Sequence, residues 1–361
     1  MHNPDLSDDQ KLILDTVVKF VEERARPRAL DLDEHRTFAE DDFRQLAELG
    51  LLGLPIAEAS GGAAMGMMAF AIAVVAVARG SSSTARLLVS QAGLVGKALE
   101  GLDAAAETCA AVAAGEVLAA FVGPDARIVA REEGAEFVLD GVAAVVTAGA
   151  RAETFVVCAR TAAGEPLLFV LDAKLVQRAA VPAAGFRATA PGSVTLRSVR
   201  VPASALVARD ADAQGAFDRA MVAAAIGAAA IAVGIAEHTF EITRRHAHDR
   251  IAFGKPLFAQ QAVAHKLVEI VRRTHAAQHL VYHAARIADL GGDALHEAML
   301  AKVEAVESAI AAADEGIQVH GGFGYTVEYH VERHYRDAKA LEVMDLPLES
   351  IRDRLAERIA L

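Results

Sequence analysis

The period of the apolar positions changes twice along this chain. Ile13, Val17, Phe20 and Val21 recur at helical spacing, with Lys11, Asp15, Lys19 and Glu22 on the other faces. Ser7 followed by Gln10 forms a capping-box start. The pattern predicts a second helix from about Asp41 to Gly50, an apolar connector over 51–56 and a break at Ser60-Gly61-Gly62. The run 67–78 is shorter than the ~20 residues a bilayer crossing needs, so it predicts a buried core helix. Alanine-rich helices are expected over 85–99 and 104–114. From about Val117 to Val207 short apolar runs replace them: 136–141, 154–159, 167–171, then Val194, Leu196 and 199–202. Helical spacing returns from Asp212, over 216–250, 260–290, 293–319 and from about Leu348.

This order predicts an α+β chain, mostly α: an N-terminal helical domain (1–117), a middle β-barrel or sandwich domain (118–208) and a C-terminal four-helix bundle (209–361). Composition narrows the function classes. A net charge of −12 argues against nucleic acid, which needs a basic face. Two cysteines, Cys109 and Cys158, leave no disulfide framework and suit a reducing compartment. The start, MHNPDLSDDQ, reads as no targeting signal, so a cytoplasmic protein without membrane insertion is expected. There is no tryptophan.

Candidate chemistry is sparse. His275, His279 and His283 fall four apart on one helix face, but no carboxylate or cysteine completes a zinc set, so a solvated face is the better reading and no metal is expected. His296-Glu297 lacks the second histidine of a metalloprotease helix. No dinucleotide or phosphate-loop glycine motif occurs, and no nucleophile sits in a triad context. Two stretches stand apart. In Arg250-Ile251-Ala252-Phe253-Gly254-Lys255-Pro256-Leu257, closed by Gln261, a turn between long helices presents Arg250 and Lys255. In Gln318-Val319-His320-Gly321-Gly322-Phe323-Gly324-Tyr325, the glycines open backbone N–H groups to an anion such as pyrophosphate. Each is equally well a plain helix–helix loop.

Together these stretches resemble the flavin-dependent acyl-CoA dehydrogenase family, whose pattern runs R-x-x-F-G-x-P-L-x-x-x-Q, then Q-x-x-G-G-x-G-Y, then Y-R-D-A-[RK], here Tyr335-Arg336-Asp337-Ala338-Lys339. Matches at Glu48-Leu49-Gly50, Ala114-Gly115-Glu116 and Val199-Arg200-Val201-Pro202 follow the family's order over nearly the whole length. The resemblance implies the same three domains and FAD as cofactor. It implies that Arg250, Phe253 and Gln261 cradle the adenine-side half of FAD. Gln318, Gly321 and Gly322 would help from across a subunit interface. It therefore implies an oligomer, a homodimer, homotetramer or heterotetramer with a homologous subunit. It also implies an acyl-CoA or other acyl thioester substrate and an electron-transfer flavoprotein as acceptor.

The flavin-ring half departs from the family pattern. Where the family carries A-L-T-E-P-x-A-G-S-D, this chain has Ala120-Phe121-Val122-Gly123-Pro124-Asp125, and Val122 replaces a flavin-binding hydroxyl. The family's W-[IV]-[TS] is Val145-Val146-Thr147, which keeps the hydroxyl of Thr147 and loses the indole. The catalytic glutamate, nine residues past the arginine of R-D-A-K, is here Asp345, with Glu342 and Glu349 as weaker substitutes. Asp345 also reads as a helix start, with Pro347 and Glu349 in the first turn. The alternative base position on the preceding helix is closed, since 213–236 holds no glutamate. The leading reading is thus an α,β-dehydrogenase with Asp345 as base. The alternatives are an impaired partner subunit donating its adenine cradle, and a nitroalkane oxidase-like flavoenzyme that uses an aspartate.

Overall fold

The computed structural model describes residues 6–360. Residues 1–5, part of the segment read above for a targeting signal, lie outside the described residues. The N-terminal helices are α1 (Asp8–Phe20), α2 (Arg26–Glu34), α3 (Glu40–Glu48), α4 (Gly66–Ala78), α5 (Ser82–Leu88), α6 (Lys97–Leu99) and α7 (Ala106–Ala114). The Ser7 capping box forms as expected, with the Gln10 amide donating to the Ser7 hydroxyl. Wide turns at Val21–Ala25 and Val89–Gly96 carry α1 into α2 and α5 into α6 without a break. The apolar run in α4 is buried on every face, as its composition requires.

Strands β1 (Ala119–Val122), β2 (Ile128–Glu133), β3 (Glu136–Val146), β4 (Thr154–Arg160), β5 (Pro166–Asp172), β6 (Gln177–Ala180), β7 (Gly192–Pro202) and β8 (Leu206–Arg209) form one sheet. Its order is β6-β7-β3-β2-β4-β5-β8, with β1 and β2 both parallel to β4 at successive registers. The short apolar runs follow from two-sided burial. Phe155, Val157 and Ala159 of β4 point into the sheet's own core, whereas Val156 and Cys158 point into the helical core. On β5, Leu167, Phe169 and Leu171 face the sheet core and Leu168 the helices. Phe137 and Phe169 meet edge to face there, centroids 5.3 Å apart.

The C-terminal helices are α8 (Asp210–Asp249), α9 (Gln261–Asp289), α10 (Ala294–His320), α11 (His330–Leu341) and α12 (Leu348–Ile359). Helix α8 holds a longer apolar stretch than the 67–78 run, and 94% of its most apolar window is buried inside the protein. It is the axis of the core: Gly234 lies where a Cβ would come 2.6 Å from Ala78 of α4, so the two helices cross in backbone contact. N- and C-terminal helices share this one core.

Candidate active site

Helix α11 carries the Tyr335–Lys339 motif, and its charged residues bolt the segment before Asp345 to the rest of the molecule. Arg336 reaches Asp33 of α2 at 2.6 Å and the Ala184 carbonyl at 2.7 Å. Asp337, fully buried, accepts the Ser82 hydroxyl of α5 and the Phe186 N–H, the latter at 2.6 Å. Burial pushes the Asp337 carboxyl up; the charge of fully buried Arg333 opposes this.

The chain then turns between α11 and α12, and Asp345 stands in that turn with φ +58°. It does not start α12. Pro347 is the N-cap and no side chain caps it, because the Asp345 carboxylate is engaged elsewhere. Arg86 of α5 grips it with both terminal nitrogens, Nη1 to Oδ2 at 2.5 Å and Nη2 to Oδ1 at 2.8 Å. The same guanidinium donates Nε–H to Oγ1 of Thr147, just past β3, at 2.9 Å. Arg86 is 2% exposed, Thr147 4%. The side chain of Asp345 keeps 12% of its surface open. Burial alone would raise the Asp345 carboxyl, but the charge and hydrogen bonds of Arg86, with Lys302 behind them, hold it below the ordinary value.

Lys302 of α10 is fully buried and pushed down to about 8, chiefly by burial, with Asp345 opposing the shift. Its Nζ donates to the carbonyls of Met344 and Leu346. Sequence reasoning missed both Arg86 and Lys302. The available signal was a single cation inside an otherwise small or apolar helical run, Ser82–Leu88 in one case and 298–303 in the other.

The remaining predicted site residues lie at one end of the bundle. Ile251–Ala252 and Lys255–Pro256 form a two-stranded hairpin whose turn holds Phe253 and Gly254 at φ +53° and +77°. Phe253 is 95% exposed, and Arg250 makes no ion pair among the described residues. Gln261 opens α9 and Gln318 lies in the last turn of α10, both exposed. Gly321 has φ +63° with open space where a Cβ would stand, and Gly322 is equally open. The rings of His246 and His320 stack at 4.2 Å, which joins the ends of α8 and α10 and so brings the two loops to the same end. No hydrogen bond among the described residues links this group to Thr147 and Asp345.

His275, His279 and His283 line a groove between α1 and α9 with Tyr282 and Glu237, the first glutamate beyond the 213–236 segment. His279 is tied to its own helix through the His275 carbonyl at 2.7 Å, and Glu237 pairs with Arg79 and Gln278. Among the described residues no group of three side chains is arranged to hold a metal.

Comparison with known proteins agrees with this architecture. The model of the acyl-CoA dehydrogenase N-terminal domain matches residues 7–106, and that of the C-terminal domain matches residues 215–360. The chain belongs to the acyl-CoA dehydrogenase family and is an FAD-dependent oxidoreductase of that family. It is 31% identical to the benzylmalonyl-CoA dehydrogenase of Aromatoleum aromaticum over 93% of both chains. Its fold superposes on butyryl-CoA dehydrogenase from Megasphaera elsdenii with a TM-score of 0.92 at 24% identity, covering 100% of each chain. A glutaryl-CoA dehydrogenase from Mycobacterium smegmatis in complex with FADH2 gives 0.90 at 25% identity, over 98% of this chain and 95% of that one.

Proposed function

We propose that the chain, acting in the cytoplasm, dehydrogenates an acyl thioester, in its first form a CoA ester, between the α and β carbons. The observation that carries this reading is that Thr147 and Asp345, chosen from the sequence for opposite sides of the reaction, meet on one guanidinium, that of Arg86. Asp345 takes the proton next to the thioester carbonyl. Each carboxylate oxygen keeps a lone pair beyond its bond to Arg86, so Asp345 can take the proton there, with its basicity lowered by the pair. Thr147 keeps its hydroxyl hydrogen to donate, since Arg86 uses only the oxygen's lone pair.

FAD, when bound, supplies the acceptor for the β-hydride at N5. The residues fit its diphosphate-adenosine half. Arg250 is an exposed cation without a carboxylate partner among the described residues, and the Gly321-Gly322 backbone is open to an anion. Arg250, Phe253 and Gln261 would hold that half, with Gln318, Gly321 and Gly322 of a second copy. The exposed side chains of Phe253, Phe323 and Tyr325 support an oligomer built on this end. The domain limits 1–117, 118–208 and 209–361 belong to this reading, as does an electron-transfer flavoprotein as acceptor.

A second reading is favoured by the same ion pair: a base already held by an arginine, beside a ring site without tryptophan, suits a subunit that lends its cradle to a homologous partner. Expression of the chain alone separates them. The expected result is a yellow protein whose flavin bleaches anaerobically with butyryl-CoA or benzylmalonyl-CoA, and an Asp345→Asn variant that stays yellow but does not bleach. A colourless protein that takes up FAD only with a co-expressed homologue would establish the partner role. Bleaching by nitroethane and not by thioesters would point to nitroalkane oxidation.

A further inference from the structure

Lys302 has no exposed surface, and its Nζ donates to the Met344 carbonyl at 2.8 Å and the Leu346 carbonyl at 2.6 Å. Those carbonyls bracket Asp345, whose φ of +58° is seldom adopted by a residue with a Cβ. The turn is closed by one further bond, from the Leu348 N–H to the Glu342 carbonyl at 2.9 Å. Its interior is therefore held from within by one ammonium. The neighbours of Lys302 on α10, Ala301, Ala305 and Val306, are buried hydrophobics. An apolar residue at 302 would pack among them without the desolvation penalty of a buried charge, so packing does not explain the lysine. What it holds does: without Nζ, two inward carbonyls lose their donor, and the strained residue between them is left with only its side-chain grip on Arg86.

We propose that Lys302 is the positioning residue of this site, fixing the 342–348 turn so that the Asp345 carboxylate stands against Arg86. The consequence for chemistry rests on the reading of Asp345 as base; the positioning itself does not.

The test uses the full-length, flavin-loaded protein with Lys302→Met and Lys302→Gln. In Lys302→Met the Leu348 amide is expected to exchange at least tenfold faster, while amides in the middle of α10 keep their protection. The Asp345 carboxyl, followed by carbon NMR, is expected to titrate at higher pH, with Lys302→Gln between Met and the parent. Flavin bleaching by butyryl-CoA is expected to slow by at least tenfold with half-saturation little changed, since small misplacements of a base act on the chemical step. Unchanged Leu348 exchange together with an unmoved Asp345 titration overturns the proposal, whatever the activity. If Lys302→Met does not fold, Lys302→Gln decides on the same two measurements. Bleaching that survives in Asp345→Asn would remove Asp345 as base and leave the exchange and titration results to decide for Lys302 on their own.

Discussion

Arg86 and Asp345, 259 positions apart, meet in a two-pronged ion pair that spends both carboxylate oxygens on one guanidinium. This keeps Asp345 ionised, as a base must be, and at the same time makes it a weaker one. Because the folded carboxyl lies below its unfolded value, its contribution to stability is complete above the ordinary carboxylate range of ~3.9 and is lost as pH falls through the depressed folded value. Removing Arg86 shifts the balance, since burial is then opposed only by the charge of Lys302. Arg86→Gln is therefore expected to move the acid limb of flavin bleaching to higher pH. It should also lower stability by about 3–5 kcal/mol, as for a mostly buried charge left without its partner. A pH series of bleaching rates and urea melts of both proteins checks this. An unmoved acid limb would mean that the pair does not persist in solution.

The cradle end calls for the opposite expectation. Arg250 and Phe253 are exposed and support no packing, so their loss leaves the fold alone. Arg250→Ala and Phe253→Ala should change the stability of the flavin-free protein by no more than about 0.5 kcal/mol. Both should purify with less bound FAD and shed it faster on gel filtration, as read from the ratio of flavin to protein absorbance. Full flavin retention in both variants would place the adenine elsewhere.

Much of this organisation was legible in the chain. Burial on all faces of α4 followed from its unbroken apolar run, and the capping box at Ser7 from two residues. The motif stretches located the hairpin at Phe253 and the glycine turn at Gly321. Helix α11 is legible only as a motif, because Arg333, His334 and Asp337 share its buried face with Val331, Ala338 and Leu341 and mask the apolar spacing. The wide turn at Val21–Ala25 hid the continuity of α1 with α2 for a similar reason: one extra residue per turn breaks the 3.6 spacing. Asp345 read equally as cap and as base, and only the fold excludes the cap, through a positive φ and a distant arginine. Arg86 and Lys302 illustrate the general limit. Each is a lone cation whose meaning lies in a partner far along the chain, and periodicity reports faces of an element, never which distant group a face will meet.

Asp337 joins α11 to α5 and to the segment before β7, and it is also the acid nearest in effect to the buried charge of Arg333. Asparagine at this position keeps an acceptor for the Phe186 N–H but loses the charge; alanine loses both. Asp337→Ala leaves the buried Phe186 N–H and Ser82 hydroxyl without their acceptor and is expected to cost at least about 1–3 kcal/mol, and Asp337→Asn distinctly less. Chemical denaturation of the two variants gives the order. Equal losses would mean that the charge, and not the hydrogen bonds, accounts for the whole effect.

Gly234 puts propensity and packing in direct conflict. Alanine in the middle of a long helix gains roughly 0.5–1 kcal/mol over glycine from propensity alone. Here the added Cβ would stand 2.6 Å from both the Ala78 Cβ and the Val75 carbonyl oxygen, and the latter is backbone that cannot rotate away. Overpacking of a rigid core costs typically about 1–3 kcal/mol, so the steric cost wins over the propensity gain. Gly234→Ala should therefore be net destabilising, and Gly234→Val more so, whereas Gly215→Ala on the same helix, with only the tip of Arg219 within reach at 3.5 Å, should be neutral or stabilising. Thermal melts of the three flavin-loaded variants test the sign at each site. A stabilised Gly234→Ala would show that α4 and α8 can separate at their crossing, and with them the shared core that holds α5 and Arg86 against Asp345.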